Sequence, residues 1–190
     1  EKFFNNRLPN DYQNKKPVIL YAGNIGEGQG LDKIIPKVAN ENQNLFFRII
    51  GDGSSRGLLI KNELIKSSNN VEIIDPISRE DLIMEYKKAD ILFIHLNDYK
   101  AFHRVLPSKI FEYAALNKPI IAGVSGYAAE FLRNYVSDIE IFKPCDHKEM
   151  SKCIQKIIKK NKLINRSDFI SKFKRKNIMK KLAKDILSLN

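Results

Sequence analysis

The sequence predicts an α/β fold, a doubly wound parallel sheet of about six strands with helices on both faces. Short apolar runs alternate with helical patterns along most of the chain, and this order is typical of parallel sheets. Gly- or Pro-rich loops follow the strands. Because ligands in such folds bind beyond the carboxyl ends of the strands, one cleft is expected where these loops converge. The loops are 23–30, 51–53, 75–78, 97–108 and 123–126.

Strands and helices alternate regularly in the first half of the chain. Apolar runs predict strands at 16–23, 45–50, 71–74 and 91–94. Apolar residues at helical spacing predict one helix from about Leu31 and another that includes Leu58 and Ile65. A third helix is expected to run to about Lys88, with Ser78 as its N-cap and Asp81 in the capping-box position.

The second half continues the same order. A long polar loop leads to a short helix before the strand at 119–122, and a helix at about 126–133 precedes a strand at 139–142. The last segment predicts an amphipathic helix with Ser167 as its cap and a kink near Lys176 and Asn177. Its apolar residues are Phe169, Ile170, Phe173, Ile178, Met179, Leu182, Ile186 and Leu189.

Composition excludes several classes of protein. The chain has 190 residues, of which 43% are hydrophobic, as expected for one soluble domain. No apolar run approaches the length of a membrane span, and no secretory signal pattern opens the sequence. Cys145 and Cys153 form neither a metal-binding pattern nor a disulfide framework, so reduced thiols are expected. The first residue is Glu1, which suggests a piece of a longer chain.

The charge is concentrated at the end of the chain. Residues 1–150 carry 20 basic and 20 acidic side chains, whereas residues 151–190 carry 13 basic and 2 acidic ones. The second segment therefore supplies the whole net charge of +11. This segment is predicted to pack on the domain with solvated charges, to face an anionic membrane, or to contact another domain.

The segment from Pro107 to Gly123 is the most informative motif. Ser108 is suited to begin a helix, and Asn117 before Lys118 and Pro119 is suited to end it after about two turns. A helix start with free N–H groups suits a phosphate. Glu112, one turn further in, could accept hydrogen bonds from a ribose diol. The alternative is a surface ion pair between Lys109 and Glu112, worth a few tenths of a kcal/mol.

This motif resembles the nucleotide-sugar signature of group-1 glycosyltransferases, retaining enzymes of the GT-B fold. The resemblance covers about residues 17–145 and implies one Rossmann-like half of that fold. It implies that Glu112 binds the ribose and that the amides of Ser108, Lys109 and Ile110 face the diphosphate. The form Pro-Ser-Lys-x-Phe-Glu-Tyr is most similar to members that build bacterial surface polysaccharides from UDP-linked amino sugars.

Two positions depart from the family pattern. Arg104 stands where the family usually has a second Glu near the donor sugar, and it is either a phosphate or sugar ligand or an exposed loop residue. Gln29 stands near a position where many relatives have Lys. The resemblance therefore implies that the amides of Ile25 to Gln29, those of Gly26 and Gln29 among them, contact the diphosphate together with Lys109. Lys109 and Arg104 are the candidates for stabilising the leaving group.

Other candidate residues have ordinary structural alternatives. In the resembling family, the segment that contains Gly51 lines the nucleotide side of the cleft, and the segment at Ile77 recognises the base. Either segment could simply be a turn. His95 and His103 show no catalytic partner, and each could be a hydrogen-bonded rim residue. No His or Cys pair has the spacing of metal ligands.

The resemblance implies three regions. Residues 1–16 would lead from a missing N-terminal acceptor-binding domain, 17–165 would bind the nucleotide sugar, and 166–190 would form a basic helix against this domain or the missing one. The whole enzyme would transfer an N-acetylated amino sugar from UDP to a lipid-linked acceptor, and this piece alone would be inactive.

Neither a tightly bound cofactor nor a required metal is expected, and no nucleic-acid partner. The protein is expected to be cytoplasmic and peripheral on the inner face of the membrane. Two alternatives remain at this point: a sugar-nucleotide epimerase of the same fold, and a non-catalytic basic module that binds membranes or nucleic acid through 151–190.

Overall fold

The computed structural model describes residues 16–160 and 164–188. The predicted leader, residues 1–16, therefore lies outside the described residues except for Lys16, and so does Leu189 of the predicted tail helix. Within the described ranges, no helix combines the length and apolarity needed to cross a bilayer.

Six parallel strands form a single sheet in the order β3-β2-β1-β4-β5-β6. This confirms the predicted fold class. The chain builds outward from β1 on one side and then crosses back to build outward from β4, so the strand order reverses between these two strands. The strands are β1 (Val18–Ala22), β2 (Phe46–Ile50), β3 (Val71–Ile74), β4 (Ile91–His95), β5 (Ile120–Gly123) and β6 (Ile139–Phe142).

Helices cover both faces of the sheet because successive strand residues point to opposite sides. The helices are α1 (Leu31–Glu41), α2 (Arg56–Lys61), α3 (Glu63–Lys66), α4 (Arg79–Lys88), α5 (Lys109–Ala114), α6 (Gly126–Tyr135), α7 (His147–Lys160), α8 (Ser167–Phe173) and α9 (Arg175–Leu187). Ile19 belongs to a core cluster with α1 and α7, whereas Leu20 belongs to a second cluster with α4, α5, α6 and α8. Two 3₁₀ turns span Glu27–Gln29 and Lys100–Arg104.

The first half differs from the prediction at one helix. The segment that includes Leu58 and Ile65 forms two short helices, because Asn62 is extended and its side chain accepts a hydrogen bond from the N–H of Leu64. The cap predicted at Ser78 is confirmed, since its hydroxyl oxygen accepts from the N–H of Asp81 at 3.1 Å.

Helix α7 was not predicted. Met150, Cys153, Ile154 and Ile157 are buried on one face of it, and their i, i+3, i+4, i+7 spacing is the signal that could have identified it.

The basic end of the chain forms two helices. Ser167 is the first residue of α8, not its cap, and Arg166 occupies the cap position. The break between α8 and α9 falls at Lys174, which is extended, and therefore lies before the predicted kink at Lys176 and Asn177. Phe169 is buried in the core, whereas no residue of α9 is buried against the part of the chain that the structure describes.

Arg166 fastens α8 to the domain. Its guanidinium donates to the carbonyl oxygens of Ser137 and Lys118, both at 2.9 Å, and of Asp138 at 3.2 Å. Only 2% of the residue is exposed, and this burial lowers the pKa of Arg166 to about 10. One buried side chain therefore satisfies three backbone acceptors at the end of the sheet.

Candidate functional site

A cleft of about 310 Å³ lies at the carboxyl ends of the strands, where the fold class predicts a ligand. The loops after β1, β2 and β3 form one side of it, and Lys109 of α5 closes the other. The structure thus brings together three of the predicted residues, Gly51, Ile77 and Lys109. The lining consists of Ala22, Gly23, Asn24, Ile50, Gly51, Asp52, Pro76, Ile77, Leu82 and Lys109.

The floor of the cleft is a close approach of two backbone segments. The N–H of Gly23 donates to the carbonyl oxygen of Ile50 at 2.9 Å, and the N–H of Gly51 donates to that of Ile74 at 3.0 Å. Gly51 has a φ of 146°, and a Cβ on it would overlap the carbonyl oxygen of Gly23. Only glycine fits here, so the two loops can pack directly against each other.

The loop after β1 is held by its own side chains. Both the Asn24 amide and the Gly26 N–H donate to Oε1 of Gln29, at 2.8 and 3.2 Å. The side-chain carbonyl of Gln29 is therefore engaged within the loop. Neither Gln29 nor Gly26 is among the residues that line the cleft. Asp52 accepts from the N–H of Gly53 at 2.8 Å, which is a turn contact.

Lys109 and Glu112 form the ion pair that the alternative interpretation predicted. Nζ of Lys109 lies 2.7 Å from Oε2 of Glu112 and also donates to the hydroxyl of Tyr86 at 2.8 Å. Partial burial acts to lower the pKa of Lys109, but the hydrogen bonds to Glu112 and Tyr86 outweigh it and raise the pKa. The ammonium group is therefore charged and held at the edge of the cleft.

Tyr86 is a site residue that the sequence reasoning missed. It lies on α4, only 2% exposed, and its hydroxyl meets the ammonium group of Lys109. Tyr113 packs edge-to-face against it, and the hydroxyl of Tyr113 accepts from the N–H of Ala22 at 3.1 Å. The apolar spacing of Leu82 and Tyr86 indicated an inward face of α4, but nothing in the pattern indicated the partner of the Tyr86 hydroxyl.

The start of α5 differs from the prediction in two ways: the side chain of Ser108 does not cap the helix, and the N–H of Ile110 is already engaged in a hydrogen bond. Ser108 has helical φ and ψ angles of −59° and −28°, and its side chain caps no N–H, because an extended backbone is required for that geometry. The N–H of Ile110 donates to the carbonyl oxygen of Pro107 at 3.1 Å. The N–H groups of Ser108 and Lys109 precede this first hydrogen bond of the helix, which has six residues.

Arg104 and His103 lie in the 3₁₀ turn Lys100–Arg104, and both are exposed. This turn packs on the start of α6, where Gly126 has a φ of 58° and a Cβ would overlap the backbone of His103. The structure therefore holds the predicted loop 97–108 close to α6 and leaves the Arg104 side chain directed to solvent.

His95 is the last residue of β4 and is buried. Because the N–H of Cys145 donates to its Nε2 at 2.9 Å, the proton of the neutral ring is on Nδ1, which donates to the carbonyl oxygen of Gln29 at 2.6 Å. Burial lowers the pKa of His95 to about 4. The ring thus connects the loop after β1 with the loop before α7, and both of its nitrogens are engaged in these contacts.

Across 16–160 and 164–188, no three His, Cys, Asp or Glu side chains come together in a group that could hold a metal ion.

These observations define the class of the protein as a Rossmann-like α/β domain with a cleft beyond the carboxyl ends of its strands. Residues 3–176 match the model of the family described as glycosyl transferases group 1. The chain belongs to this family.

Known relatives agree with this assignment. The chain is 28% identical over 118 residues to the putative colanic acid biosynthesis glycosyl transferase WcaI of Escherichia coli K12, covering 62% of this chain and 29% of that protein. The fold is similar to that of Anabaena Alr3699/HepE in complex with UDP and glucose, with a TM-score of 0.70, 18% identity, and coverage of 94% of this chain and 50% of that one.

A glycosyltransferase from Rickettsia africae is also similar, with a TM-score of 0.57, 21% identity, and coverage of 75% of this chain and 38% of that one. The chain therefore spans half or less of the length of these three relatives.

Proposed function

We propose that this chain is the donor-binding part of a glycosyltransferase that transfers a sugar from a UDP donor to a lipid-linked acceptor during assembly of a bacterial surface polysaccharide. The donor would carry an N-acetylated amino sugar. The observation that supports donor binding best is the cleft itself, with a charged lysine and a carboxylate at its edge. The relative named for colanic acid biosynthesis supports a role in polysaccharide assembly, and the similar fold solved in complex with UDP supports uracil as the base.

The lining suggests how the donor would lie. Pro76, Ile77 and Leu82 give one end of the cleft an apolar wall, which suits the flat face of a base. The backbone at Gly23 and Gly51 leaves space for a ligand near the middle. Lys109 stands opposite, where a diphosphate would meet a positive charge, and Glu112 is close enough to accept from a ribose diol once Lys109 turns to the phosphates.

The charge on Lys109 accounts for catalysis in this proposal. Transfer breaks the bond between the anomeric carbon and the diphosphate oxygen, forms a bond from that carbon to the acceptor oxygen, and releases the hydroxyl proton of the acceptor. The departing diphosphate gains negative charge. A half-buried ammonium group that turns from Glu112 to the phosphates when the donor binds would stabilise this charge with little reorganisation of solvent during the reaction. Arg104 could add a second positive charge only if its loop faced the donor.

The acceptor would be bound by a part of the whole protein that this chain does not include, since the chain spans half or less of its relatives. We therefore expect the chain alone to bind donor and to transfer no sugar. Sugar transfer by the isolated chain would contradict this part of the proposal. Membership of the glycosyltransferase family favours this function over the epimerase and over a non-catalytic module.

The test is thermal unfolding with UDP, GDP and ADP, on the unaltered chain and on Glu112→Ala. We expect UDP to stabilise the chain by about 3 kcal/mol at a hundred times its dissociation constant, with a smaller effect of GDP and ADP. Glu112→Ala should lose most of this stabilisation. Glu63→Ala is the matched control, because Glu63 forms the same type of i,i+3 pair with Lys66 at 2.7 Å on another helix.

Equal stabilisation by all three nucleotides, or none, would contradict the proposed donor. Unchanged stabilisation in Glu112→Ala would show that the nucleotide binds elsewhere.

A further inference from the structure

Helix α5 depends on its neighbours for its position. It carries both Lys109 and Glu112, which stand at the edge of the cleft, but it has only six residues. Helices shorter than about 12 residues are marginal on their own in water. The packing of the other side chains of α5 therefore decides where these two site residues lie.

Phe111 packs α5 against two other helices. The ring is half-buried, and its centroid lies 5.5 Å from that of Phe131 on α6. On α8, the ring centroids of Phe169 and Phe173 lie 6.2 Å and 5.6 Å away. The side of α5 that faces neither the cleft nor the sheet is therefore held by aromatic contacts with α6 and α8.

Phe173 is the centre of these aromatic contacts. It is the last residue of α8, and besides the ring of Phe111 it meets those of Phe169 at 4.7 Å, Phe131 at 5.3 Å and Tyr135 at 5.4 Å. Aromatic rings at such separations attract one another beyond the effect of buried area. A displacement of α8 would therefore disturb both α5 and α6.

A second link joins the start of α8 to the end of α5. The N–H of Arg166 donates to Oδ1 of Asn117 at 3.0 Å, and its guanidinium donates to the carbonyl oxygen of Lys118 at 2.9 Å. Asn117 has a φ of 50° and lies between α5 and β5. Contacts with α8 and its cap residue thus fix both the flank of α5 and the turn that follows it.

No residue of α8 lines the cleft. An influence of α8 on a ligand in the cleft must therefore pass through α5. The connection is short, because Lys109 and Glu112 flank Phe111 in the same helix. Residues of one helical turn move together, so a shift of the Phe111 ring also displaces the ammonium and carboxylate groups beside it.

We propose that Phe173 is a positioning residue of the donor site. Through Phe111 it holds α5 so that the ammonium and carboxylate groups of that helix meet a nucleoside diphosphate. The inference rests on the proposed function, because that function assigns the nucleotide to this cleft. The end of α8 thus controls nucleotide affinity without contacting the nucleotide.

The test is the dissociation constant for UDP of the full chain, measured by isothermal titration calorimetry where circular dichroism shows each variant to be folded. Phe173→Ala should raise this constant by about tenfold, since one aromatic pair corresponds to a factor of up to about ten in an equilibrium. Phe173→Leu fills most of the same volume and should recover most of the affinity.

Ile157→Ala is the matched control. Ile157 lies on α7, 8% exposed, in the core cluster on the other face of the sheet. The change should lower the unfolding midpoint at least as much as Phe173→Ala and should leave the dissociation constant for UDP unchanged. Equal losses of affinity in the two variants would overturn the proposal, since they would indicate that global stability alone governs binding.

A double-mutant cycle tests the route through Phe111. Phe111→Leu alone should also weaken UDP binding. In that background Phe173→Ala should have little further effect, because the contact that transmits it is already lost. Full additivity of the two changes would exclude Phe111 as the connection.

Hydrogen exchange gives a measurement that needs no nucleotide. The amides of α5 should exchange at least about tenfold faster in Phe173→Ala than in the parent chain, whereas those of α7 should keep their rates. Unchanged exchange in α5 would mean that α8 does not hold this helix, and the proposal would fail.

The two proposals fail in different ways. No binding of UDP to the parent chain would contradict the proposed function, and the positioning role with it. Binding to the parent chain that Phe173→Ala leaves unchanged would refute the positioning role alone.

Discussion

The carbonyl oxygen of Gly23 occupies the space that a side chain on Gly51 would need. The two glycines follow neighbouring strands, so the loops of β1 and β2 meet backbone to backbone. This contact forms the floor of the cleft, and it explains why the apolar strand β2 is followed by glycine.

Gly51→Ala should therefore destabilise the domain and impair nucleotide binding. Its φ of 146° is unfavourable for alanine, and the added methyl group would overlap backbone atoms that cannot move aside. We expect a loss of roughly 2–4 kcal/mol in the free energy of unfolding, measured by urea denaturation. Gly57→Ala is the control. It lies in α2 with no atom near its Cβ position, and it should be neutral or stabilise by about 1 kcal/mol. Similar effects of the two changes would contradict this account.

Tyr86→Phe should weaken donor binding without unfolding the domain. The hydroxyl of Tyr86 holds the ammonium group of Lys109 at 2.8 Å and helps to raise its pKa. Without it, the pKa of Lys109 should fall and the side chain should be less well placed. We expect the dissociation constant for UDP to rise by about threefold to tenfold, because the loss of one hydrogen bond typically changes a binding equilibrium by this factor. NMR titration of the labelled lysine would report the pKa.

Tyr135→Phe is the control for that change, because Tyr135 lies on α6, 42% exposed and away from the lining of the cleft. A pKa of Lys109 that is unchanged in Tyr86→Phe would mean that Glu112 alone positions the ammonium group.

His95 should make the domain sensitive to acid. In the folded chain its pKa is lowered from 6.5 to about 4, mainly by burial. Above pH 6.5 the ring is neutral in both states and the full stability is present. Between pH 6.5 and about pH 4 only the unfolded chain takes up a proton, so stability falls, by about 3 kcal/mol in total. A proton on Nε2 would also face the N–H of Cys145, which now donates to it.

The measurement is urea denaturation at pH 7.5 and at pH 5 for the parent chain and for His95→Gln. The variant should be less stable at pH 7.5 and should lose less stability on acidification. His147→Gln serves as the control, because His147 is paired with Glu41 at the surface. The same loss with acid in the parent chain and in His95→Gln would exclude His95 as its source.

Arg166→Met should uncouple α8 from the sheet. It leaves three backbone carbonyl groups without their buried donor, and we expect a loss of roughly 3–5 kcal/mol in the free energy of unfolding. Arg166→Lys should recover only part of this loss, since one ammonium group cannot reproduce the planar fork of the guanidinium. Complete recovery by lysine would show that charge, not geometry, is what the site requires. Hydrogen exchange of the α8 amides would show whether the helix has detached.

The positions of the strands along the chain were predictable because their apolar runs and the loops between them are local features of the sequence. The cap at Ser78 was predictable for the same reason. The backbone conformation of Ser108 was not predictable. Its hydroxyl could cap the helix only from an extended backbone, and the folded chain gives Ser108 a helical one.

Contacts between distant segments account for the remaining differences. Tyr86 meets Lys109 only after α4 and α5 pack on the same face of the sheet. Arg166 reads as one basic residue among many in the tail, and its three acceptors come from segments far away along the chain. Periodicity shows which side of a helix is buried, but it does not show which polar group of a distant segment lies against that side.

Strands β1 and β4 are joined by fewer paired residues than any other neighbours in the sheet, namely Ile19 with Ile91 and Leu20 with Leu92. The walls of the cleft come from both sides of this narrow seam, since the glycine loops follow β1 and β2 and Lys109 follows β4. A molecule bound between those walls would therefore link the two halves of the sheet across the β1–β4 pair. The two halves of the sheet would then melt as one unit, and amide exchange along β1 and β4 would slow most.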